Sequence, residues 1–236
     1  MKRIFLASLT IIIFLFSGCK KDNNSTHNTA KTYLLKTLTR TVFPANNSSQ
    51  EQFTYDDKNR VIDFKSSRGE YKYTYDGNNN LTTVQNYDQA GTFFSTNKFT
   101  YANGEVDVQT TDVGDNGGQP YIFTLNSLGQ VSSSTIDNNK SFTYDSNGNL
   151  TKGESDTYTY DNKKNPLSMI GAKNLHLMYI PLDNPSTFVN NVITDANLAS
   201  PYTYVYNSDG FPISASTTPT SITPNYVSIT YEYIVK

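Results

Sequence analysis

A nine-residue pattern recurs along most of the chain and limits its fold more than any other feature. The clearest copy is FTYDSNGNL at residues 142–150, where Phe142 and Tyr144 flank a polar threonine, as in a half-buried strand. Asp145 follows where a turn begins, because its carboxylate can accept hydrogen bonds from amides two residues on. Gly148 accommodates the positive φ that closes such a turn, and Leu150 opens the return strand. Each copy therefore predicts one β-hairpin.

Further copies of this pattern begin at Phe53, Tyr73, Phe99, Phe123, Tyr158 and Tyr204. The turn position is occupied by glycine or asparagine in six of the seven copies, namely Asn59, Asn79, Gly104, Gly129, Gly148 and Gly210. The copy that begins at Tyr158 has Lys164 there. Repetition of one unit predicts an all-β fold, a strongly curved, barrel-like antiparallel meander of repeated hairpins.

The chain divides into three parts by composition. Residues 1–18 have a basic start and an apolar run, which is typical of a bacterial signal peptide. The motif FSGC at residues 16–19 resembles a lipobox, which implies cleavage before Cys19 and its lipidation with diacylglycerol and palmitate. Cys19 is the only cysteine, so no intramolecular disulfide can form. The alternative is an ordinary secretory signal with a chance cysteine. Residues 19–31 then form a flexible polar tether, and residues 32–236 form a single hairpin-repeat domain.

The repeats also carry a family resemblance. The motifs YDNKKNP at residues 160–166 and YVYNSDGFP at residues 204–212 precede a terminal YEY. They resemble the YD repeats of Rhs-type proteins, and residues 32–236 resemble a family of envelope lipoproteins of unknown function described as porin-like in fold. The resemblance implies a curved, barrel-like sheet and brings no catalytic residues. A membrane-spanning barrel is not expected, because the outward positions are mostly polar and form no lipid-facing band.

The repeat is interrupted between its last two copies. LHLMYI at residues 175–180 is apolar on both alternating sets, which predicts a strand covered on both faces. Asn184 and Pro185, followed by Phe188 and Val192 at helical spacing, predict one short helix near residues 185–194. Such a helix would cover one end of the curved sheet.

Composition limits the classes of function. A formal net charge of -2 and the absence of a basic stripe argue against nucleic-acid binding. His27 and His176 are the only histidines, which excludes a multi-histidine zinc site, and the sequence shows no G-x-S-x-G element. We expect no cofactor. Asp112 and Asp115, in a glycine-rich loop, are the best metal candidates, although a flexible connection explains that loop more simply.

The aspartates of the repeat admit two interpretations. They are Asp56, Asp76, Asp145 and Asp161. Acid–base pairs or calcium ligands are one option, since Asp145, Asn147 and Asn149 have the spacing that opens a calcium loop. However, Leu150 stands where that loop needs glycine. A turn-forming role explains all four aspartates without a ligand, and we prefer it.

Two tyrosine stripes are the candidate ligand-binding residues. One comprises Tyr71, Tyr73 and Tyr75, and the other comprises Tyr202, Tyr204 and Tyr206. Rings on one face of a strand can stack on sugar rings or contact a protein, and they can equally form the core of a thin β-sheet, which we prefer.

These observations support two functional hypotheses. The first is a non-enzymatic cell-envelope lipoprotein, anchored to the outer membrane of a Gram-negative bacterium on its periplasmic face or at the cell surface. It would bind a glycan or an envelope protein, or serve a structural role. The second is an envelope hydrolase that acts on a polysaccharide through loop carboxylates. An exposed aromatic surface favours the first, and a carboxylate-lined cleft favours the second.

Overall fold

The computed structural model describes residues 30–114, 117, 119–135, 140–153, 156–171, 189–195, 200–219 and 225–236. The described part of the chain contains seventeen β-strands and no helix. The strands are β1 (Tyr33–Phe43), β2 (Asn47–Tyr55), β3 (Val61–Ser66), β4 (Gly69–Tyr75), β5 (Leu81–Tyr87), β6 (Phe93–Ala102), β7 (Glu105–Asp112), β8 (Tyr121–Leu125), β9 (Val131–Ser134), β10 (Lys140–Ser141), β11 (Thr143–Tyr144), β12 (Leu150–Gly153), β13 (Asp156–Lys164), β14 (Asn190–Asp195), β15 (Tyr202–Tyr206), β16 (Pro212–Thr217) and β17 (Tyr226–Val235). Over these ranges, no helix is long and apolar enough to cross a membrane.

The strands form an antiparallel meander, as predicted. Thirteen of them build one sheet in the order β10-β9-β8-β7-β6-β5-β4-β3-β2-β1-β17-β16-β15, and β11 to β14 build a second sheet. The first strand pairs with the last, from Tyr33 opposite Val235 to Phe43 opposite Tyr226. Strand pairing does not close these sheets into a barrel, because the ladder is interrupted between β10 and β11 and between β14 and β15.

The predicted helix near residues 185–194 is wrong over its second half. Asn190–Asp195 form β14, which pairs antiparallel with β13. Three β-branched residues, Val192, Ile193 and Thr194, favour an extended backbone there, and Val192 is only 1% exposed. Residues 185–188, the predicted strand at residues 175–180 and His176 lie outside the described residues.

The predicted turns are confirmed at every copy with glycine or asparagine in the turn position. Those residues have positive φ, for example 67° at Asn79 and 91° at Gly148. In the turn after β4, Oδ1 of Asp76 accepts hydrogen bonds from the amides of Asn78 and Asn80, at 2.8 and 2.9 Å. The same pair of amide contacts recurs at Asp56, Asn126, Asp145 and Asn207. The carboxylate or amide oxygen thus holds the turn closed.

A β-bulge follows most of these turns. Tyr75 lies opposite Leu81, but Thr74 lies opposite Thr83, which leaves Thr82 as the extra residue. As a result Leu81 and Val84, three residues apart, both face the core and are fully buried. The same shift in register occurs between β2 and β3, β8 and β9, β11 and β12, and β15 and β16. The bulge therefore belongs to the repeat unit.

The repeat tyrosines tie neighbouring strands together. In the described part of the chain, six tyrosine hydroxyls each donate a hydrogen bond to a main-chain carbonyl of an earlier strand, and the pairs are Tyr55 with Leu35, Tyr75 with Val61, Tyr144 with Val131, Tyr160 with Leu150, Tyr204 with Val192, and Tyr233 with Pro212. Tyr144 links β11 to β9 at 2.8 Å, and Tyr204 links β15 to β14 at 2.7 Å. These two contacts span the two interruptions of the ladder.

The inner face of the larger sheet packs around one hydrophobic core. Phe64, Val84, Val106 and other inward residues of β1 to β9 and β15 to β17 form it. Leu167, which is 2% exposed, joins this core from the segment at residues 165–171. The amide of Gly171 donates to the carbonyl of Asn59 at 3.0 Å, which fastens this segment beside the turn after β2. An irregular segment therefore covers this part of the core.

Replacing Tyr144 with phenylalanine should lower the free energy of unfolding by about 1 kcal/mol. The ring stays packed, but the carbonyl of Val131 loses the hydroxyl that bridges β11 and β9. Burial raises the pKa of Tyr144 to about 12, which agrees with a neutral hydroxyl held in a confined place. Urea denaturation measures the change. Tyr226→Phe is the control, because its ring remains stacked on Phe43, and an equal loss in both variants would contradict the bridging role.

Candidate functional site

The two tyrosine stripes lie on the inner face of the sheet. Tyr71, Tyr73 and Tyr202 are 8%, 3% and 5% exposed. Tyr75, Tyr204 and Tyr206 are half-buried, and the rings of Tyr204 and Tyr206 stack at a centroid distance of 6.0 Å. Because the rings pack on the core and on one another, neither stripe offers a continuous aromatic surface to a ligand.

The other predicted site residues are dispersed. Asp112 ends β7 and is exposed, whereas Asp115 and Cys19 lie outside the described residues. No group of three or more histidine, cysteine, aspartate or glutamate side chains is arranged to hold a metal in the part of the chain that is described. Partial burial disfavours ionisation of Asp145, but hydrogen bonds from Asn149 and nearby amides outweigh it and lower the pKa of the carboxyl. The carboxylate is therefore engaged by its own turn.

A row of side chains crosses four adjacent strands on the outer face of the larger sheet. Lys65 of β3 lies opposite Glu70 of β4, Glu70 lies opposite Tyr87 of β5, and Tyr87 lies opposite Phe93 of β6. Their neighbours Phe64, Tyr71 and Asn86 are buried, so alternation turns the row away from the core. We call these four residues the outer-face row.

Charged groups surround Glu70 in this row. Its carboxylate lies 3.4 Å from the Lys65 ammonium and 3.5 Å from that of Lys72. The Lys72 ammonium also lies 4.7 Å from the centroid of the Tyr87 ring, which is a cation–π contact. Lysine and glutamate side chains thus restrain each other and the tyrosine ring on the outer face.

A carboxyl pair forms at the same place. Asp63 of β3 donates a hydrogen bond to Glu70 when it is protonated. Partial burial, together with this hydrogen bond and the negative charge of Glu70, raises the pKa of Asp63 to about 6. The hydrogen bond from Asp63 and the two nearby lysines lower the pKa of Glu70, although partial burial opposes this. Below about pH 6, Glu70 is therefore the ionised member of the pair.

A groove of about 540 Å³ adjoins the row, between the turn after β3 and the turn after β5. It is lined by Lys65, Ser66, Ser67, Gly69, Glu70, Asp88, Gln89 and Gly91. The side-chain amide of Gln89 donates to the carbonyl of Ser67 and joins the two turns. Two hairpins with a fixed separation thus form the walls.

Exposed aromatic rings continue the outer-face row on the strands next to the groove-lining Glu70. Phe93 is 39% exposed and Phe94, the bulge residue beside it, is 45% exposed. The ring centroids of Tyr87 and Phe93 are 5.6 Å apart and the ring planes meet at 65°, which is an edge-to-face arrangement. The amide of Val113 donates to the carbonyl of Phe94 at 2.8 Å and fixes the backbone there. We call Tyr87, Phe93 and Phe94 the aromatic corner.

Our sequence analysis missed this site, although a signal was present. Residues 87–93 read YDQAGTF, which repeats the Tyr-Asp-x-x-Gly frame in a turn at the opposite end of the strands from the turn after β4. Gly91 has a φ of 79°, and Asp88 accepts the amides of Ala90 and Thr92, as in the other turns. Here, however, Asn86 faces the core and Tyr87 faces outward. Because the inward and outward positions are exchanged in this copy, its aromatic side chains lie on the outer face of the sheet.

Comparisons with known proteins identify no family for this chain. No protein-family model matches it, and no curated protein matches its sequence. Among solved structures, a porin-like protein from Bacteroides uniformis ATCC 8492 is 13% identical, covering 85% of this chain and 98% of that chain with a TM-score of 0.45. The functional conclusion therefore depends on the residues of this chain.

Replacing Asp63 with asparagine should change how stability depends on pH. The pKa of Asp63 is raised in the folded state, so its stabilising contribution is complete below about pH 4 and is lost as the pH rises through 6. Asparagine stays neutral at every pH. Between pH 4 and 7, the free energy of unfolding of the variant should therefore rise relative to that of wild type, by about 1 kcal/mol or less because solvent screens the pair. Thermal melts across this range test it, with the exposed Thr100→Asn as control. Parallel pH profiles for D63N and wild type would refute the carboxyl pair.

Proposed function

We propose that this protein is a non-enzymatic, lipid-anchored cell-envelope lipoprotein that acts as a binding module. One observation carries the binding role: the outer-face row and the aromatic corner bring exposed rings beside charged groups on one rigid sheet. Exposed aromatic side chains with a few convergent polar groups are typical of recognition surfaces. The paired hairpins hold these groups in place before a ligand arrives, which lowers the entropic cost of binding.

The anchor is proposed from the sequence. The FSGC motif after an apolar run supports lipidation of Cys19 with diacylglycerol and palmitate, and residues 20–31 would separate the hairpin domain from the outer membrane. The domain would then act on the periplasmic face or at the cell surface. The YD-like repeats fit an envelope role without an enzymatic one.

We also propose that the two sheets join into one curved, barrel-like frame. The amide of Phe142 donates to the carbonyl of Ser132 at 3.0 Å at one junction, and Tyr144 bonds to Val131 beside it. At the other junction, the Tyr204 hydroxyl bonds to the Val192 carbonyl. Such a frame would keep the outer-face row at a constant curvature.

Two measurements test the proposal. The full chain and its Cys19→Ser variant are produced in a Gram-negative host with a palmitate analogue that can be labelled. The wild-type protein should be labelled and sediment with outer membranes, whereas the variant should be neither labelled nor membrane-bound. Protection of the wild type from protease added to intact cells would assign it to the periplasmic face. A labelled Cys19→Ser protein would refute the anchor.

The binding role is tested separately on residues 20–236 with Cys19 removed. Thermal shifts are measured against fractionated envelope polysaccharides and outer-membrane proteins. A ligand present at 100 times its Kd should add about 2.7 kcal/mol to stability. We expect a shift with one fraction that Phe93→Ala reduces. A shift equal in wild type and variant would place recognition elsewhere.

One observation favours a second function. Glu70 and Asp88, from two different hairpins, both line the groove, and Asp63 adds a protonated carboxyl beside Glu70 near pH 6. Paired carboxyls with unequal pKa values are the groups that polysaccharide hydrolases use. Incubation with reducing-end-labelled oligosaccharides distinguishes the two functions. Cleavage that is abolished in Glu70→Gln would establish a hydrolase, and intact oligosaccharides would support the binding module.

A further inference from the structure

Every side chain that lines the groove carries a hydrogen-bonding group, and these groups are of mixed character. Ser66 and Ser67 offer hydroxyls, Gln89 an amide, Glu70 and Asp88 carboxylates, and Lys65 an ammonium group. Both donors and acceptors are therefore present within one cleft. A ligand rich in hydroxyl groups can satisfy such a lining, because each hydroxyl donates one hydrogen bond and accepts others. An apolar ligand would leave these groups unpaired, which is costly.

The charges at the groove limit the class of ligand further. Two carboxylates of the lining, Glu70 and Asp88, stand against two ammonium groups, Lys65 in the lining and Lys72 beside it. One carboxylate oxygen of Glu70 forms ion pairs with the ammonium groups of Lys65 and Lys72, at 3.4 and 3.5 Å. These charges cancel, so a phosphate or a uronic acid gains no net electrostatic attraction at the cleft. The lining therefore fits a neutral, hydroxyl-rich molecule.

The aromatic corner supplies the complementary apolar contact. Phe93 and Phe94 remain 39% and 45% exposed beside the polar groove. A pyranose ring has one apolar face of C–H groups and a rim of hydroxyls, so its face can pack on an aromatic ring while its rim reaches polar partners. The size also fits, since about 540 Å³ lies within the usual range of small-molecule sites.

We propose that the groove and the aromatic corner together bind a neutral oligosaccharide. The sugar ring packs on Phe93, Glu70 and Asp88 accept hydrogen bonds from its hydroxyls, and Gln89 donates or accepts at the rim. This inference depends on the proposed binding function and specifies its ligand class.

Isothermal titration calorimetry of residues 20–236, which lack Cys19, tests it. The probes are cellohexaose, mannohexaose, maltohexaose and xylohexaose, with hexagalacturonate as the anionic comparison. One neutral hexasaccharide should bind, and Phe93→Ala and Glu70→Gln should each raise its Kd about tenfold, or about 1.4 kcal/mol. Leu128→Ala, at a side chain that is 81% exposed on a distant turn, should leave the Kd unchanged. Thermal melts confirm that each variant is folded.

Three other results of the titrations would overturn all or part of this inference. Preferential binding of hexagalacturonate would overturn the neutral ligand class. Equal affinity of wild type, F93A and E70Q for a neutral hexasaccharide would overturn this site while leaving the binding function in place. If no hexasaccharide binds, the inference is overturned, and purified outer-membrane proteins then decide the function: binding that F93A weakens retains a binding module, and no binding removes that function as well.

Discussion

Replacing Gly69 with alanine is expected to destabilise the hairpin domain by about 3 kcal/mol or more. A Cβ at Gly69 would lie 2.1 Å from the carbonyl oxygen of Tyr87, which belongs to the neighbouring strand and cannot rotate away. The φ of Gly69 is 143°, a backbone conformation that side chains disfavour. To admit alanine, β4 and β5 must separate where the outer-face row crosses them. Urea denaturation of residues 20–236 measures the loss.

Gly77→Ala is the matched control for this substitution. A Cβ at Gly77 meets no atom within 4 Å. The change should therefore alter stability by less than about 0.5 kcal/mol. Equal losses in the two variants would show that glycine is not required at the close approach of β4 and β5. Because Gly69 also lines the groove, G69A should lose ligand binding together with stability, whereas G77A should keep both.

Replacing Phe64 with alanine should cost about 3–5 kcal/mol, since it leaves a large cavity in the centre of the core. Phe64 is fully buried, and its ring packs against Phe53 at 4.9 Å and Tyr71 at 5.8 Å between ring centroids. The same change at Phe94, which is 45% exposed, should cost less than about 1 kcal/mol. Thermal and urea denaturation of both variants provide the comparison, and a small effect at Phe64 would mean that the core collapses around the missing ring.

The hairpins were predictable because turn chemistry is local. A residue such as Gly148 or Asn79 must take positive φ, and few residue types do so without strain, so the turn can be recognised from a short stretch of sequence. The β-bulge also has a local signature, which is the pair of apolar residues three apart, as at Leu81 and Val84. A search for strict alternation overlooks that spacing.

The candidate site was not predictable for a physical reason. The outer-face row exists only because four strands pair in one particular register, and a shift of one residue would move Tyr87 to the inner face. The tyrosine stripes show the same limit: alternation places Tyr71 and Tyr73 on one face, but only the packing of the sheet around its core decides that this face is buried. Segment 165–171 lacks any periodic pattern, so its role as a cover is a tertiary property.

The pairing of β1 with β17 sets the order in which the domain can be completed. Hairpins such as β4–β5 need only neighbouring residues and can form before the rest of the chain is available. The other long edge of β1, by contrast, has no partner until Tyr226–Val235 form β17. For that interval an unpaired strand is open to pairing with other chains. The folding domain therefore stays vulnerable to aggregation until β17 is in place, and pairing along β1 is the step that removes this risk.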